Sequence, residues 1–520
     1  MTNTVKPRSL QEILDAMISR DPKDTDLVSR AYEFSRTAHG DQKRYSGDAY
    51  FIHPAEVGYT LAAAHMGAVM IAAGLLHDTI EDAGVKREVM KEQFGAEVLA
   101  LVEGVTKLGT LRYHGVERHT ESLRKLFAAT AKDIRVLIIK LFDRLHNART
   151  LEHVPVPEKR ARIALETLEI YAPIADRLGM SVLKQDLEDA AFPYAHPKDY
   201  EKTRELLKER KNENEKRLEK TEKDLKREFA DAGIRDFRAE ARVKGVYSLF
   251  RKLERKQWDI DKIYDILALR IIFPSMADCY TALGIIHGHW RPVPGKIKDY
   301  IANPKPNGYQ SIHTTIYTGD GGALEIQLRT EAMHQEALYG IASHLSYKEM
   351  QQQKVPGGKR VGLEWVKQFF PSMSKDHKGS NALISRADKK QLVPDWLHQL
   401  AHAEPSSESS EQYLDTLKSD FFSHRIFVFT PENDAIDMPI EATPIDFAYA
   451  VHSDLGDTMA GARVNGKMVA IATPLKNGDV VEIITKPSAK PSRKWLDIAK
   501  TNMAKRHIRA TLAALEAKKR

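Results

Sequence analysis

His77-Asp78-Thr79-Ile80-Glu81-Asp82 follows the apolar run Ala68 to Leu76 and is closed by Ala83-Gly84. Four of its six residues can bind a metal or move a proton. Positions i and i+4 share a helix face, so a helix through this stretch pairs His77 with Glu81 and Asp78 with Asp82. Gly84 suits the end of such a helix. If the helix is buried, its imidazole and carboxylates must pair or coordinate, because an unpaired buried charge is too costly. Read alone, the hexapeptide is equally a polar helix terminus with ordinary surface carboxylates.

Its surroundings read as helical. Apolar positions recur with helical spacing in 24–40, 55–76, 86–106, 118–131 and 158–179, between short Gly/Pro/Asp breaks. Residues 1–195 are therefore expected to form an all-α array around a polar cavity. The loop Arg44-Tyr45-Ser46-Gly47-Asp48-Ala49-Tyr50-Phe51-Ile52-His53-Pro54 leads into a helix, with Pro54 near its start. Leu141 to Thr150 is a helix carrying Asp143, Arg144 and Asn147 among apolar residues. His53, His77, Asp78 and Asp143 make a His/Asp set suited to a first-row divalent metal such as manganese. The spacing alone is not specific, and His53 by itself reads as well as a satisfied core histidine.

The bulk numbers bound the class. The chain has 520 residues, of which 42% are hydrophobic and 29% charged, an ordinary globular composition spread over three to four domains. No apolar run reaches the ~18 residues of a membrane span, so no membrane partner is expected. The first twenty residues lack a signal-peptide core and read as a short amphipathic helix. The single cysteine, Cys279, excludes an internal disulfide and a Cys-based zinc site, and it fits a reducing cytoplasm. The net charge of +7 is uneven, since 486–520 hold eleven Lys/Arg and two acids. That tail suits a polyanionic partner; a solubilising terminus is the bland alternative.

Beyond 195 the pattern changes. Glu205 to Phe229 is dense in Lys and Glu and reads as a long exposed helix laced with i,i+4 ion pairs, a solvated spacer. Arg242 to Lys252 is a cation-rich strand-to-helix transition, and Ile263 to Phe273 reads as a buried strand holding Asp265 and Arg270. An acid within such a strand must be paired or hold a cation. Pro294 to Thr315 contains a Pro/Gly/Asn-rich loop with Lys296, Lys298, Lys305 and Tyr309, where lysines can neutralise phosphates and Tyr309 can stack on a base. Leu324 to Thr330 alternates, which puts Glu325, Gln327 and Arg329 on one strand face. A half-exposed sheet with a polar face explains that strand equally well.

The segment 349–424 mixes flexible stretches with short helices expected at Val361–Phe370, Leu392–His402 and Glu411–Phe422. From Arg425 a compact β-rich module begins, with strands at Ile426–Pro431, Ile436–Ile440, Ala462–Val464, Met468–Ile471 and Val480–Thr485 and a helix at Thr443–Val451. Asn465-Gly466 is a hairpin signal, and Asn477-Gly478 is a second turn.

The Arg-x-Ser-Gly…His-Pro loop, the His-Asp-x-x-Glu-Asp hexapeptide and the Asp143-Arg144-Leu145-His146-Asn147 helix resemble the hydrolase half of RelA/SpoT-type guanosine tetra- and pentaphosphate enzymes. The stretches from 241 to 330 resemble the synthetase half, and 425–487 resembles a TGS domain. The resemblance implies an all-α HD-type hydrolase domain at 1–195, a helical linker at 196–240 and an α+β nucleotidyltransferase-like synthetase domain at 241–348. It further implies a flexible, partly helical linker at 349–424, a small β-grasp TGS domain at 425–487 and the basic start of a helical region at 488–520. The family's far C-terminal zinc-finger and ACT- or RRM-like modules are expected to be absent.

For chemistry, the resemblance implies that His53, His77, Asp78 and Asp143 hold Mn²⁺. Glu81 and Asp82 would activate water on the 3′-pyrophosphate of (p)ppGpp, Asn147 would help orient it, and Arg44, Ser46 and Thr150 would lie near the nucleotide. In the synthetase half it implies pyrophosphate transfer from ATP to the 3′-hydroxyl of GDP or GTP. Asp265 would hold Mg²⁺ and Glu325 would bind metal or activate the hydroxyl. Arg242, Lys244, Ser248, Lys252, Lys298 and Lys305 would manage phosphates, and Tyr309 would stack on guanine with Gln327 and His313 in support. His452 and the basic tail would meet tRNA or the ribosome; a His that merely caps its helix is the alternative. Three departures bear on synthesis: Lys296 stands where the family usually has Arg, Leu338 where it has Glu, and Leu345 where it has Trp. They leave open a hydrolase with a degenerate regulatory synthetase domain. The C-terminal module leaves open a tRNA- or ribosome-binding stress sensor.

Overall fold

The computed structural model describes residues 6–106, 130, 133–305, 307–342, 425–432, 435–476 and 478–517. The described residues up to 342 form one compact unit and those from 425 belong to a second. The helices expected at 118–131 (Thr130 apart), 361–370, 392–402 and 411–422, the residues at 343–348 including Leu345, and Asn477 lie outside them.

The first unit begins with helices α1 (Leu10–Ala16), α2 (Pro22–His39), α3 (Ile52–Ala63), α4 (Ala68–Leu76), α5 (Arg87–Thr106), α6 (Ile134–Arg149), α7 (Pro157–Glu166), α8 (Ala172–Arg177) and α9 (Ser181–Ala195). The single helix suggested by 55–76 is in fact two. His65 takes a positive φ of 64° and turns the chain between α3 and α4. The reason is burial: α4 is apolar all round, and such a helix must be covered on every side. It is packed by α2, α3, α5 and α6. The 158–179 stretch is also interrupted. One π-helical turn, Thr167–Tyr171, separates α7 from α8.

A 35-residue helix, α10 (Pro197–Asp231), then leads to a five-stranded sheet. Its strands are β1 (Arg238–Val243), β2 (Leu267–Phe273), β3 (Lys298–Asp299), β4 (Ile312–Tyr317) and β5 (Ala323–Thr330), in the order β1-β2-β5-β4-β3. Only β2 and β5 run parallel. Around them lie α11 (Val246–Arg255), α12 (Met276–His289) and α13 (Glu331–Tyr339). One sheet face is apolar: Leu269, Ile271, Phe273, Ile312, Ile316, Ile326 and Leu328 pack on Cys279, Ala282 and Ile286 of α12 and on Leu218, Leu225 and Phe229 of α10. This corrects the solvated-spacer reading of 205–229. The Lys/Glu density covers the outside of the helix, while one narrow stripe, Leu218-Leu225-Phe229, is enough to seat it on the sheet. The strand expected over 263–273 starts only at Leu267, so Asp265 sits just ahead of it.

The second unit contains β6 (Arg425–Phe429) paired with β7 (Ala435–Pro439), then α14 (Pro444–Val451), α15 (Ser453–Asp457) and a sheet of β8 (Met459–Val464), β9 (Lys467–Val469) and β10 (Val481–Thr485) in the order β10-β8-β9. A parallel bridge from Phe429 to Val480 links the two sheets. Val464 faces Lys467 across a two-residue turn, and Asn465 and Gly466 both have positive φ, 51° and 77°. That is the backbone a type I′ hairpin requires. The basic segment after 487 folds onto this module through α16 (Trp495–Ile498) and α17 (Asn502–Ala517). Trp495, Ala499, Ala504 and Ile508 share a core with Ile445, Ala448 and Tyr449. The fully buried Asp446 carboxylate accepts from Thr443, Lys500 and Thr501 backbone N–H groups, which pins the segment down.

Candidate active sites

The regular helix α4 ends at Leu76, so the hexapeptide is a series of turns rather than a helix. Thr79 explains the stop. Its N–H and its hydroxyl both donate to Leu76 O, at 3.0 and 2.7 Å, tightening the last turn. One helix-like bond survives, from Asp82 N–H to Asp78 O at 2.8 Å, which keeps these two residues adjacent.

Four side chains from three elements converge here. His53 near the start of α3, His77 and Asp78 after α4, and Asp143 in α6 meet in the interior. His53 Nε2 is 3.2 Å from Asp143 Oδ1 and 3.5 Å from Asp78 Oδ2, and His77 Nε2 is 3.1 Å from Asp78 Oδ1 and 3.9 Å from Asp143 Oδ1. Candidate ligand atoms of His53, His77 and Asp143 lie within 4.8 Å of one another.

The tautomers follow from the donors. His77 Nδ1 lies 2.7 Å from Gly74 O and donates to it, which frees Nε2; that buried nitrogen has no hydrogen-bond geometry to any partner despite its closeness to Asp78. Arg44 can only donate, and its Nη1 is 3.2 Å from His146 Nδ1. His146 Nδ1 is therefore an acceptor, and His53 Nδ1, 2.8 Å away, carries the hydrogen. Both imidazoles thus turn Nε2 towards two carboxylates. Only a positive charge between them makes that arrangement favourable, so the donor set fits a divalent cation.

The supporting shell is built from α6. Lys140 Nζ donates to Asp143 Oδ2 and Asn147 Nδ2 to Asp143 Oδ1, each at 2.6 Å. Burial would raise the Asp143 carboxyl, but the Lys140 ammonium overrules it and holds it well below the usual range. Burial, with help from His53 and Arg44, drives His146 down to about 2, so it stays neutral. Arg44 Nη2 donates to Asn147 Oδ1 at 3.0 Å and approaches Thr150 Oγ1 at 3.5 Å. The end of α7 and the π turn add to this wall: Glu166 accepts from Arg144 Nη2 at 2.8 Å, and the Tyr171 ring lies 4.2 Å under the Arg144 guanidinium.

A cavity of about 460 Å³ opens beside this set, lined by Arg44, Ser46, Lys140, Asp143, Asn147 and Thr150 among others. Glu81 and Asp82 are exposed and do not line this cavity. Burial, then Asp82 and Asp78, push the Glu81 carboxyl up.

The second constellation lies on the polar face of the sheet. Register puts Ala268 opposite Glu325, Arg270 opposite Gln327, and His313 opposite Gln327. Asp265 Oδ2 accepts from Lys244 Nζ at 2.8 Å and from Lys252 Nζ. The two ammonium groups overcome burial and hold its carboxyl far down, while burial, only partly offset by Asp265, lowers Lys244 to about 8. Glu325 Oε1 accepts from Gln327 Nε2 at 2.7 Å and lies 3.3 Å from His313 Nδ1. Burial would raise Glu325, but the His313 contact lowers it to about 2. Tyr309 Oη and His313 Nε2 are 2.8 Å apart, and Lys305 Nζ sits 4.8 Å from the Tyr309 ring centroid. Lys298 is exposed on β3, and Arg242 is half-buried on β1. The Ser248 hydroxyl donates to Glu188 of α9 at 3.0 Å. Lys296 lies 5.8 Å from the Tyr264 ring, and Leu338 is half-buried in α13. In the second unit His452 is exposed and its Nδ1 accepts from Asp454 N–H at 3.2 Å, so it caps α15.

The sequence reading missed Lys140, His146, Tyr50 and Glu188. The first three lie within or near the motifs; Lys140 meets Asp143 at helical spacing, but the partners of His146 and Tyr50 are distant in the chain. His146 meets a residue 93 positions away.

Fold and sites define an HD-type helical domain joined to a second, sheet-based site rich in cations and carboxylates. Comparisons with known proteins agree. Residues 31–181 match the HD domain, 241–352 the region found in RelA/SpoT proteins and 426–485 the TGS domain. The chain is 42% identical to the guanosine-3′,5′-bis(diphosphate) 3′-pyrophosphohydrolase of Aquifex aeolicus, over 98% of this chain and 68% of that protein. It is 42% identical to the GTP pyrophosphokinase of Myxococcus xanthus, over 94% of this chain and 60% of that protein. Among solved structures, small alarmone synthetase 2 from Bacillus subtilis shares 31% identity over 27% of this chain and 78% of that chain, with a TM-score of 0.21. The chain belongs to the RelA/SpoT family. It spans about 60 to 68% of the length of these curated relatives.

Proposed function

We propose that the chain is a bifunctional alarmone enzyme. Its helical half hydrolyses the 3′-pyrophosphate of (p)ppGpp, and its sheet half makes (p)ppGpp from ATP and GDP or GTP. The observation that carries the reading is the convergence of His53, His77, Asp78 and Asp143, with the buried His77 Nε2 left without a hydrogen-bond partner.

His53, His77, Asp78 and Asp143 would hold Mn²⁺, which supplies Lewis-acid activation of water and charge neutralisation. The protein's own groups do the rest. Lys140 and Asn147 fix the Asp143 carboxylate, and Gly74 O and His146 fix the two imidazoles. Glu81 and Asp82 stand beside the set to take the proton of the attacking water. Arg44, Ser46 and Thr150 line the cavity in which the nucleotide is oriented.

In the sheet half, Mg²⁺ bound through Asp265 and Glu325 fits the way this ion uses one or two carboxylates plus substrate phosphates. Lys244 and Lys252, which engage Asp265 here, would turn to the phosphates, with Arg242, Lys298 and Lys305 adding charge. Transfer of this kind needs chiefly positioning and neutralisation. Glu325, held ionised, serves as metal ligand or as acceptor of the 3′-hydroxyl proton; Tyr309 stacks on guanine, supported by His313 and Gln327. The cytoplasm is the compartment proposed, in keeping with the single buried Cys279. For the second unit, the exposed His452 and the exposed Arg506 and Arg509 of α17 support a tRNA or ribosomal contact.

The test is one sample assayed for both reactions. Asp78→Asn should abolish Mn²⁺-dependent hydrolysis and leave synthesis intact, while Glu325→Gln should do the reverse. Hydrolysis retained in Asp78→Asn would refute the metal assignment. Synthesis in the wild type no higher than in Glu325→Gln would leave the sheet half as a regulatory nucleotide-binding domain.

A further inference from the structure

Tyr50 belongs neither to the ligand set nor to the nucleotide contacts, yet its hydroxyl bridges a ligand and a water-activating carboxylate. Tyr50 Oη is 2.9 Å from Asp78 Oδ2 and 2.5 Å from Asp82 Oδ2. The backbone fixes where the ring can go. Its N–H donates to Gln42 O at 2.8 Å, and its carbonyl accepts the His53 N–H at 3.0 Å, so the turn that aims His53 also aims Tyr50. The ring stacks on His39, with centroids 4.8 Å apart and planes at 24°, and meets His53 edge-on. His39 is buried and its Nδ1 lies 2.9 Å from Gln42 Oε1. The Gln42 amide in turn donates to the Asp82 backbone carbonyl at 2.7 Å.

Asp82 is thus gripped twice by the 39–50 segment, at its main chain by Gln42 and at its carboxylate by Tyr50. Its side chain is exposed, and an exposed Asp left to itself samples several rotamers. Among the described residues no other hydrogen bond to that carboxylate is made. The phenol carries one hydrogen and can serve one carboxylate at a time. Asp78 also faces His53 Nε2 at 3.5 Å and His77 Nε2 at 3.1 Å, whereas no such group faces Asp82 among the described residues, so Asp82 is where the hydroxyl matters.

We propose that Tyr50 is a positioning residue of the hydrolytic centre: its hydroxyl holds the Asp82 carboxylate beside the Asp78 ligand, in the orientation in which it receives the proton of the attacking water. This rests on the hydrolase reading above. Tyr50→Phe removes the hydroxyl and keeps the stacked ring. The kcat for guanosine tetraphosphate hydrolysis should fall by at least about 10-fold, the lower end for losing an outer-shell partner. KM and the Mn²⁺ Kd from calorimetry should stay within about twofold, the pattern of a group that acts on the reacting step. In an Asp82→Asn background the same change should cost nothing further, because a residue acting only through Asp82 has nothing left to act on. A loss of Mn²⁺ affinity matching the loss of rate, or rate losses that multiply in the double variant, would overturn the proposal. A readout free of activity comes from melting the four proteins of this cycle without metal. Coupling between Tyr50→Phe and Asp82→Asn in Tm supports the tether, and strictly additive shifts sink it. Absence of hydrolysis in the wild type would strike the hydrolase reading instead, with the metal-free cycle still deciding whether Tyr50 holds Asp82.

Discussion

His77 shows how a single buried ring is set for its task by what surrounds it. Burial alone would push its pKa down from its ordinary 6.5, but the carboxylates of Asp78 and Asp143 and the Gly74 carbonyl overrule that and raise it to about 9. In metal-free protein the ring therefore holds a proton between the two acids. The pKa is higher folded than unfolded, so this stabilisation is complete below about 6.5 and fades as pH rises through about 9. A cation in the same place must displace that proton. Mn²⁺ binding is expected to tighten steadily from pH 6.5 to 9 and to release about one proton per ion near pH 7. Calorimetry in two buffers of different ionisation enthalpy measures both, and a Kd that is flat across that window would contradict it. Of this site, the residue types were legible in the sequence: His53, His77, Asp78 and Asp143 make a set suited to a divalent cation. The tautomers were not, because they depend on Gly74 O, on Arg44 and on His146, whose contacts cross up to about a hundred residues.

Among the elements, α10 departs furthest from its sequence pattern. Its composition is that of a solvated rod, yet Phe229 is fully buried and packs edge-on to Phe237 and Phe273 at 5.2 and 5.9 Å. Arg217 adds an ion pair to Asp320 in the β4–β5 turn at 3.0 Å. If α10 is a core element, Phe229→Ala should destabilise the sheet half by about 3–5 kcal/mol, the usual cost of emptying a buried aromatic site. Urea unfolding followed through synthetase activity reads this directly. A change below about 0.5 kcal/mol, typical of a surface position, would return α10 to the role of spacer. The three residues of the stripe, Leu218, Leu225 and Phe229, are too widely spread in a Lys/Glu-rich run to raise a strong periodic signal. The β8–β9 hairpin is the opposite case. Asn465-Gly466 both fix the local backbone and need nothing distant to do it, so the sequence located that turn correctly.

At the scale of the first unit, the helical and sheet halves meet along a seam that reaches the loop of the sheet-half site. The Ile341 N–H donates to Leu178 O at 2.9 Å, Asn307 Nδ2 to Asp176 O at 3.0 Å, and Ser181 Oγ to Ala337 O. Asn307 stands in the loop that carries Lys305 and Tyr309, so the α8–α9 turn braces the proposed guanine platform. Nearby, burial raises Glu188, which accepts from Ser248 across the seam, to about 7. At the closest approach Gly340, with φ +54°, touches Gly179; a Cβ on Gly340 would come 2.1 Å from Leu178 O. Gly340→Ala adds both a clash and an unfavourable φ, worth roughly 1–3 kcal/mol. It should lower the Tm of the first unit by several degrees, at about 2–4 °C per kcal/mol. It should also weaken GDP binding to the synthetase site more than (p)ppGpp binding to the hydrolase site, because the braced loop is on the sheet side. Equal effects on the two affinities would show that the seam is only packing. Among the described residues no helix is long and apolar enough to cross a membrane.

By itself the sequence determined the succession of an all-α half, an α+β half and a β-rich module. Each was written in local periodicity and in turn residues whose backbone preference is intrinsic. It also supplied the residue types gathered at both candidate centres, because buried His, Asp, Glu and Lys must pair or coordinate. Only the tertiary structure decided where regular helix stops at Leu76, that Asp265 precedes its strand, that α10 is core, and that Ser248 meets Glu188. Those outcomes turn on hydrogen bonds and burial between residues far apart in the chain, and no local pattern encodes a partner that only folding brings within 3 Å.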